Sequence, residues 1–230
     1  MKVAIMTDSN SGITQEEAKS LGIFVTPMPF LIDGEEYFED INLSQQSFYE
    51  KLTEDAQVST SQPNIYSVCE TWKEILKEYD EIVYIPMSSG LSASCDTATN
   101  AALDFDGKVE VVDNKRISIT QKQSVLDALK LASEGKTSKE IKAWLLETSM
   151  NASIYIMVST LKYLKKGGRV TPAAAAIGSL LRIKPVLQIQ GAKLDKFCQV
   201  MAFNLGKKKM IEQIIKDIQQ DFLMSLKTKL

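Results

Sequence analysis

The stretch Ile82-Val83-Tyr84-Ile85-Pro86-Met87-Ser88-Ser89-Gly90-Leu91-Ser92-Ala93-Ser94 decides how the rest of the chain is read. A β-branched apolar run ends in hydroxyls grouped around one glycine, and an alanine-rich helical pattern follows. That order predicts a buried strand feeding a tight turn onto a helix N-terminus. A helix start carries unpaired backbone N–H groups at the positive end of its dipole, and so favours an anion. In open parallel sheets, ligands collect at the carboxyl ends of the strands. One helix upstream lies a second hydroxyl cluster, Ser59-Thr60-Ser61-Gln62-Pro63, which also precedes a helical stretch. Two hydroxyl-rich helix starts flanking one strand imply a neutral, hydrogen-bonding cradle for a carboxylate or a phosphate.

Working outward, residues 2–6 read as a short buried strand, residues 7–12 as a turn, and Thr14 to Glu17 as a capping box opening a helix. Residues 24–32 read as one strand, with Asp33-Gly34 as a hairpin signal. Helices are expected over 44–52, from Pro63 to about 77, and behind the hydroxyl turn to about 103. A strand over 109–113 and helices near 118–134 and 138–149 follow. Strands alternating with helices imply a parallel sheet covered on both faces. A new strand begins near 153, Thr171-Pro172 opens an Ala-rich helix to about 181, residues 184–190 and 196–201 form a hairpin across Gly191, and a helix runs from 207 to about 226. The expected fold is therefore α/β in two lobes, residues 1–150 and 151–230, with the boundary near Asn151.

At 230 residues, with 44% apolar and 24% charged, the chain has the composition of a folded globular protein. A net charge of -2 supplies no field for nucleic acid. Cys69, Cys95 and Cys198 lack metal-ligand spacing and read as reduced thiols. The start reaches Asp8 too soon for a signal peptide, and no apolar run approaches a membrane span, so the expected location is cytoplasmic. The sequence has 0 histidines, which removes Ser-His and Cys-His nucleophile pairs and His-ligated metals from this chain. The hydroxyls at Ser88 to Ser92 thus read as binders.

Five stretches in order resemble one family. Thr60-Ser61-Gln62-Pro63 followed by Ser88-Ser89-Gly90-Leu91-Ser92 resembles the paired signature of the DegV family of bacterial fatty-acid-binding proteins. The opening Met1 to Ser9, Tyr163-Leu-Lys-Lys-Gly167-Gly168-Arg169, and Ile177-Gly178-Ser179-Leu180-Leu181-Arg182-Ile183-Lys184-Pro185 resemble further family segments. The resemblance implies two α/β lobes with a long acyl chain, such as palmitate, buried in a tunnel between them. It places the carboxylate on Thr60 and Ser92, with Ser61 and Ser89 beside them. It also implies delivery to a separate fatty acid kinase subunit that forms the acyl phosphate for phospholipid synthesis, with no catalytic residue, cofactor or metal in this chain. Members usually continue some tens of residues further, so the second lobe is expected to be partial.

Competing readings remain at each position. Ser and Thr before helices are often plain caps, which is the structural alternative for Thr60 and Ser92. Arg169 suits kinase or phosphate contact, or a turn with a surface ion pair. Aligning residues 194–202 with the family's "KVRT" segment puts Met201 where a kinase-contacting arginine belongs, which weakens the kinase expectation. Ala173 to Ala176 with Ile177, Leu180 and Leu181 are candidates to line the tunnel, or an ordinary core helix. The alternative function is a phosphotransferase or hydrolase using Asp8 and Arg169, or a degenerate regulatory member. A turn or helix-entry role for Asp8 is the stronger reading, because Asn10 stands where a haloacid-dehalogenase-like enzyme needs a second Asp.

Overall fold

The computed structural model describes residues 1–39, 41–53, 56–176, 183–191 and 193–227, and divides the chain into two compact units, Met1–Ser149 and Met150–Leu230. In the first unit the order is β1 (Val3–Asp8), α1 (Gln15–Leu21), β2 (Phe24–Thr26), β3 (Pro29–Ile32), β4 (Glu35–Phe38), α2 (Gln45–Thr53), β5 (Val58–Thr60), α3 (Ile65–Ile75), β6 (Glu81–Ile85), α4 (Ser94–Ala102), β7 (Val109–Val111), α5 (Ser118–Ser133) and α6 (Ser138–Glu147). β2, β1, β6 and β7 lie side by side in that order and all run parallel. Along β6 the side chains alternate between two cores. Ile82 and Tyr84 pack with Val68 and Trp72 of α3, while Val83 and Ile85 pack with Val125 of α5 and Ile141 of α6. Both faces are covered, which is why the strand reads as continuously apolar. Trp72 is fully buried, its ring edge-on to Tyr84 at 5.8 Å and to Phe105 at 5.2 Å.

The single strand expected over 24–32 is two strands in two sheets. Pro27 and Pro29 bracket Met28, and a proline has no N–H to give to a ladder. β2 stays at the edge of the parallel sheet. β3 crosses into a separate antiparallel sheet of order β4-β3-β5, where Phe30 stacks on Tyr37 and meets Phe48 edge-on at 5.4 Å. Asp33 and Gly34, both at positive φ, close the β3–β4 hairpin as the sequence implied. β6 stops at Ile85, where Pro86 follows with no N–H for the ladder.

The second unit holds β8 (Ile154–Met157), α7 (Lys162–Gly167), α8 (Pro172–Ala176), β9 (Lys184–Ile189), β10 (Leu194–Val200) and α9 (Phe203–Lys227). Its sheet is antiparallel, of order β10-β9-β8. The first turn of α9 sits so close to the sheet that a Cβ on Gly206 would overlap the sulfur of Met157 and crowd Val200. The Tyr155 hydroxyl donates to Asp217 Oδ2 at 2.7 Å and ties the helix to β8. Among the described residues, no helix is long and apolar enough to cross a membrane.

Candidate functional site

Three parallel strands end together at Asp8 of β1, Ile85 of β6 and Val111 of β7, and the turn at Ser88–Ser92 stands on that edge. Its foundation is Asp8. This carboxylate is completely buried and accepts from the Met87 N–H at 2.8 Å, Gln121 Nε2 at 3.1 Å, and the backbone and side-chain nitrogens of Asn10 at 3.0 and 3.1 Å. Burial pushes its pKa up, against the pull of those four donors. Gln121 also donates to Thr7 Oγ1 at 3.0 Å and to the Ile85 carbonyl at 3.1 Å. Asp8 caps the short 3₁₀ turn Ser9–Ser11, which is the helix-entry role the sequence favoured over a nucleophile.

The turn is equally committed. The Ser88 N–H donates to the Arg116 carbonyl at 2.9 Å, Gly90 N–H to Ser88 Oγ at 3.2 Å, and the Leu91 and Ser92 N–H groups to the Ser88 carbonyl at 2.9 and 3.2 Å. Ser89 N–H donates to Asp113 Oδ1 at 3.2 Å, and Ser94 N–H to Ser92 Oγ at 3.2 Å. This overturns one expectation: the amides from Met87 to Ser92 already have acceptors and are not free for an anion. α4 also starts later than the hydroxyl cluster implies, at Ser94, and its N-cap Ala93 makes no side-chain cap. What the turn offers is hydroxyl protons. Ser92 Oγ accepts from the Ser94 amide and, among the described residues, has no acceptor for its own proton.

Thr60 is not a helix cap. It ends β5, pairs with Phe30 of β3, and lies four residues before Asn64, whose side chain accepts from the Tyr66 N–H at 2.9 Å and caps α3. Ser61 follows, with its N–H on the Pro29 carbonyl at 3.3 Å. Both side chains are exposed, and among the described residues their hydroxyls have no partner. Thr97 of α4 donates to Gln62 Oε1 at 3.1 Å and ties this segment to the helix behind Ser92. Thr60, Ser61, Ser89 and Ser92 therefore belong to one unit, on two segments joined by that bond. Arg169 belongs to the second unit, exposed after the left-handed Gly168, with Nη1 donating to the Gly167 carbonyl. Met201 is 80% exposed beyond β10. Of the expected tunnel lining, Ala174 is buried in α8, whereas Ile177, Leu180 and Leu181 lie outside the described residues.

Sequence reasoning missed four supports. Gln121 sits at a buried position of α5, and a polar residue in that helix's core stripe was the available signal. Arg116 is 5% exposed; its guanidinium donates to the Thr148 carbonyl at 2.6 Å, the Ser149 carbonyl at 3.4 Å and Ser124 Oγ at 3.1 Å. Burial lowers its pKa. Asp113 and Lys115 form an ion pair beside Ser89, and Lys115 Nζ donates to Ser89 Oγ at 2.7 Å. Burial tends to raise the Asp113 pKa, but the bonds from Lys115 and Ser89 win and hold it below the ordinary value. A separate groove of about 1110 Å³ runs along β2 between α1 and α3, with Phe24, Phe38, Ile65 and Val68 in its walls. Gln62 touches it, but Thr60, Ser89 and Ser92 do not. Among the described residues, no group of acidic or thiol side chains is placed to hold a metal.

Fold and turn together define a two-unit α/β protein whose first unit presents hydroxyls at the carboxyl edge of a parallel sheet. The chain belongs to the DegV family: residues 2–226 match the family model, described as "Uncharacterised protein, DegV family". It is 32% identical over 227 residues to a DegV domain-containing protein of Clostridium perfringens, covering 95% of this chain and 77% of that one. Two solved structures are similar to it. One, described as fatty acid binding of a DegV family protein from Thermus thermophilus, superposes with a TM-score of 0.86 at 28% identity, over 94% of this chain and 78% of the other. The second, DegV, a fatty acid binding protein from Bacillus subtilis, gives 0.84 at 29% identity, over 96% and 79%.

Proposed function

We propose that this protein is a carrier that binds a long-chain fatty acid such as palmitate through hydroxyl donors on Thr60 and Ser92, with Ser61 and Ser89 beside them. The observation that carries the reading is the state of the two hydroxyls. Among the described residues, Ser92 accepts one amide and has no acceptor for its own proton, and the Thr60 hydroxyl has no partner. A carboxylate accepts protons and offers none, so it fits such a pair. The Thermus and Bacillus proteins described as fatty acid binding support the same ligand class. Each buried methylene contributes roughly 0.8 kcal/mol, so a palmitoyl chain supplies on the order of 10 kcal/mol gross. Hydrogen bonds to a charged group add about 1.5–3 kcal/mol each. The chain thus provides affinity, and the hydroxyls provide polarity and orientation. The enzyme alternative loses support, because its nucleophile Asp8 is enclosed and engaged by four donors.

The test is a titration of delipidated protein with palmitate and with methyl palmitate. Binding of the acid at micromolar concentration, with the ester weaker, is the expected result; equal binding of the ester would remove the hydroxyl cradle. Delivery to a separate kinase is the second part of the proposal. The exposed Met201, standing where the family pattern has an arginine, is its weak point. Met201→Arg is expected to raise acyl-phosphate formation with a cognate kinase and to leave acid binding unchanged, since an arginine there adds charge for a developing phosphoryl group. No gain in turnover would remove this position from the phosphate contact.

A further inference from the structure

Segments 59–64 and 88–94 contain no cationic side chain. A carboxylate held by hydroxyls alone leaves water with its charge uncompensated. The cation bonded to the turn comes from the next strand. β7 runs parallel to β6, and the chain beyond its end carries Asp113 and Lys115 to the same sheet edge. Lys115 Nζ donates to Ser89 Oγ at 2.7 Å and to the Asp113 carboxylate, which in turn accepts the Ser89 N–H at 3.2 Å. An ammonium has three donors. Among the described residues two of them have acceptors, and the side chain is 37% exposed. The backbone adds an independent sign: Lys115 has φ +60, in the left-handed region that suits glycine or asparagine better than lysine. The fold accepts that strain and keeps an ammonium against Ser89. Arg116 is unsuited to the task, since its guanidinium is buried on the Thr148 and Ser149 carbonyls.

The geometry points to Lys115 as the charge-matching residue of the cradle: its ammonium, held by Asp113 against Ser89, takes the carboxylate of a bound long-chain acid and selects the acid over neutral lipids of equal length. This rests on the fatty-acid reading of the site. Asp113 shares the same ammonium, so the remaining donor produces moderate selectivity rather than an absolute requirement.

The experiment measures dissociation constants of the 230-residue chain for palmitate and for 1-hexadecanol, each by competition against a fluorescent acyl probe. Lys115→Met is expected to weaken palmitate binding about tenfold, the scale of one charge-assisted hydrogen bond. Hexadecanol binding should fall by no more than about threefold, since its hydroxyl accepts from the ammonium but brings no countercharge, and Lys115→Arg should recover most of the acid binding. Equal losses for acid and alcohol would overturn the proposal, because a lysine that only braces the turn serves both ligands alike. Where Lys115→Met lowers Tm, Lys115→Gln, which keeps a donor for Ser89, carries the same comparison. Wild-type binding of palmitate with no loss in Lys115→Met overturns this inference and leaves the acid-binding reading standing. Failure of the wild type to bind either probe overturns both.

Discussion

The two hydroxyl segments of the first unit are built in opposite ways. Ser88–Ser92 is braced from beneath by Asp8, from the side by Asp113 and Lys115, and from behind by the Arg116 carbonyl. Thr60-Ser61 is an exposed strand end held by β3 on one side and by one Gln62–Thr97 bond on the other. A braced turn has little freedom left to lose when a ligand arrives, which lowers the cost of binding. An open strand end gives up no existing bond when its hydroxyls turn to a ligand. One segment contributes preorganisation, the other availability.

The largest effect is expected where the bracing is removed. Asp8→Ala strips the acceptor from the buried Met87 amide, at about 1–3 kcal/mol, and removes the cap on the Asn10 amide, at about 0.5–2 kcal/mol, while Gln121 keeps Thr7 Oγ1 and the Ile85 carbonyl, so a stability loss of about 3–4 kcal/mol is expected in urea unfolding. A loss under about 1 kcal/mol would show that the turn does not depend on its foundation. Next comes Thr60→Ala combined with Ser92→Ala, expected to cost about 3 kcal/mol of palmitate affinity from two hydrogen bonds to a charged group. Calorimetry on the acid reads it, and unaltered affinity would break the proposed pairing.

The single variants sharpen the contrast on stability alone. Ser92→Ala removes the acceptor of the Ser94 amide and is expected to cost about 1 kcal/mol, whereas Thr60→Ala is expected within about 0.5 kcal/mol of wild type. Similar losses in both would erase the distinction between braced and open hydroxyls. The smallest effect is in pH. The Asp113 carboxylate titrates below its ordinary value of 3.8 in the folded protein, so its contribution is present above that value and fades as pH falls through it. Asp8 is shifted the other way, so its contribution is present below 3.8 and fades as pH rises through its raised value. The stability advantage of wild type over Asp113→Asn should therefore shrink on acidification from about pH 5 to about pH 3. An advantage that grows in that window would contradict the ion pair as the cause.

What the sequence made legible was whatever depends on neighbours along the chain. The alternation of strands and helices, the Asp33-Gly34 hairpin and the hairpin across Gly191 are local patterns, and the structure has them. The break at Pro27–Pro29 is marked in the sequence by two prolines, but the apolar run through them reads as continuous. The turn's amides could not be assigned from spacing, because their acceptors on Asp8 and Asp113 and the Arg116 carbonyl come from other strand ends. Lys115 was invisible for the same reason: a lysine after a strand reads as solvated until the adjacent parallel strand brings Ser89 to it.

The reach of Asp8 and Gln121 has a consequence for synthesis. Met87 waits for an acceptor 79 positions upstream, and Asp8 for a donor 113 positions downstream. A nascent chain emerging at about 5–20 residues per second has made both hydroxyl segments before the α5 residue that locks their floor exists. Ser88–Ser92 and its floor therefore gain their full set of bonds only after residues 113–121 have been made. A ligand that requires this shape then adds its binding energy to the finished unit and none to its precursors. On the proposed carrier reading, capture of the acid doubles as a check that the first unit has folded.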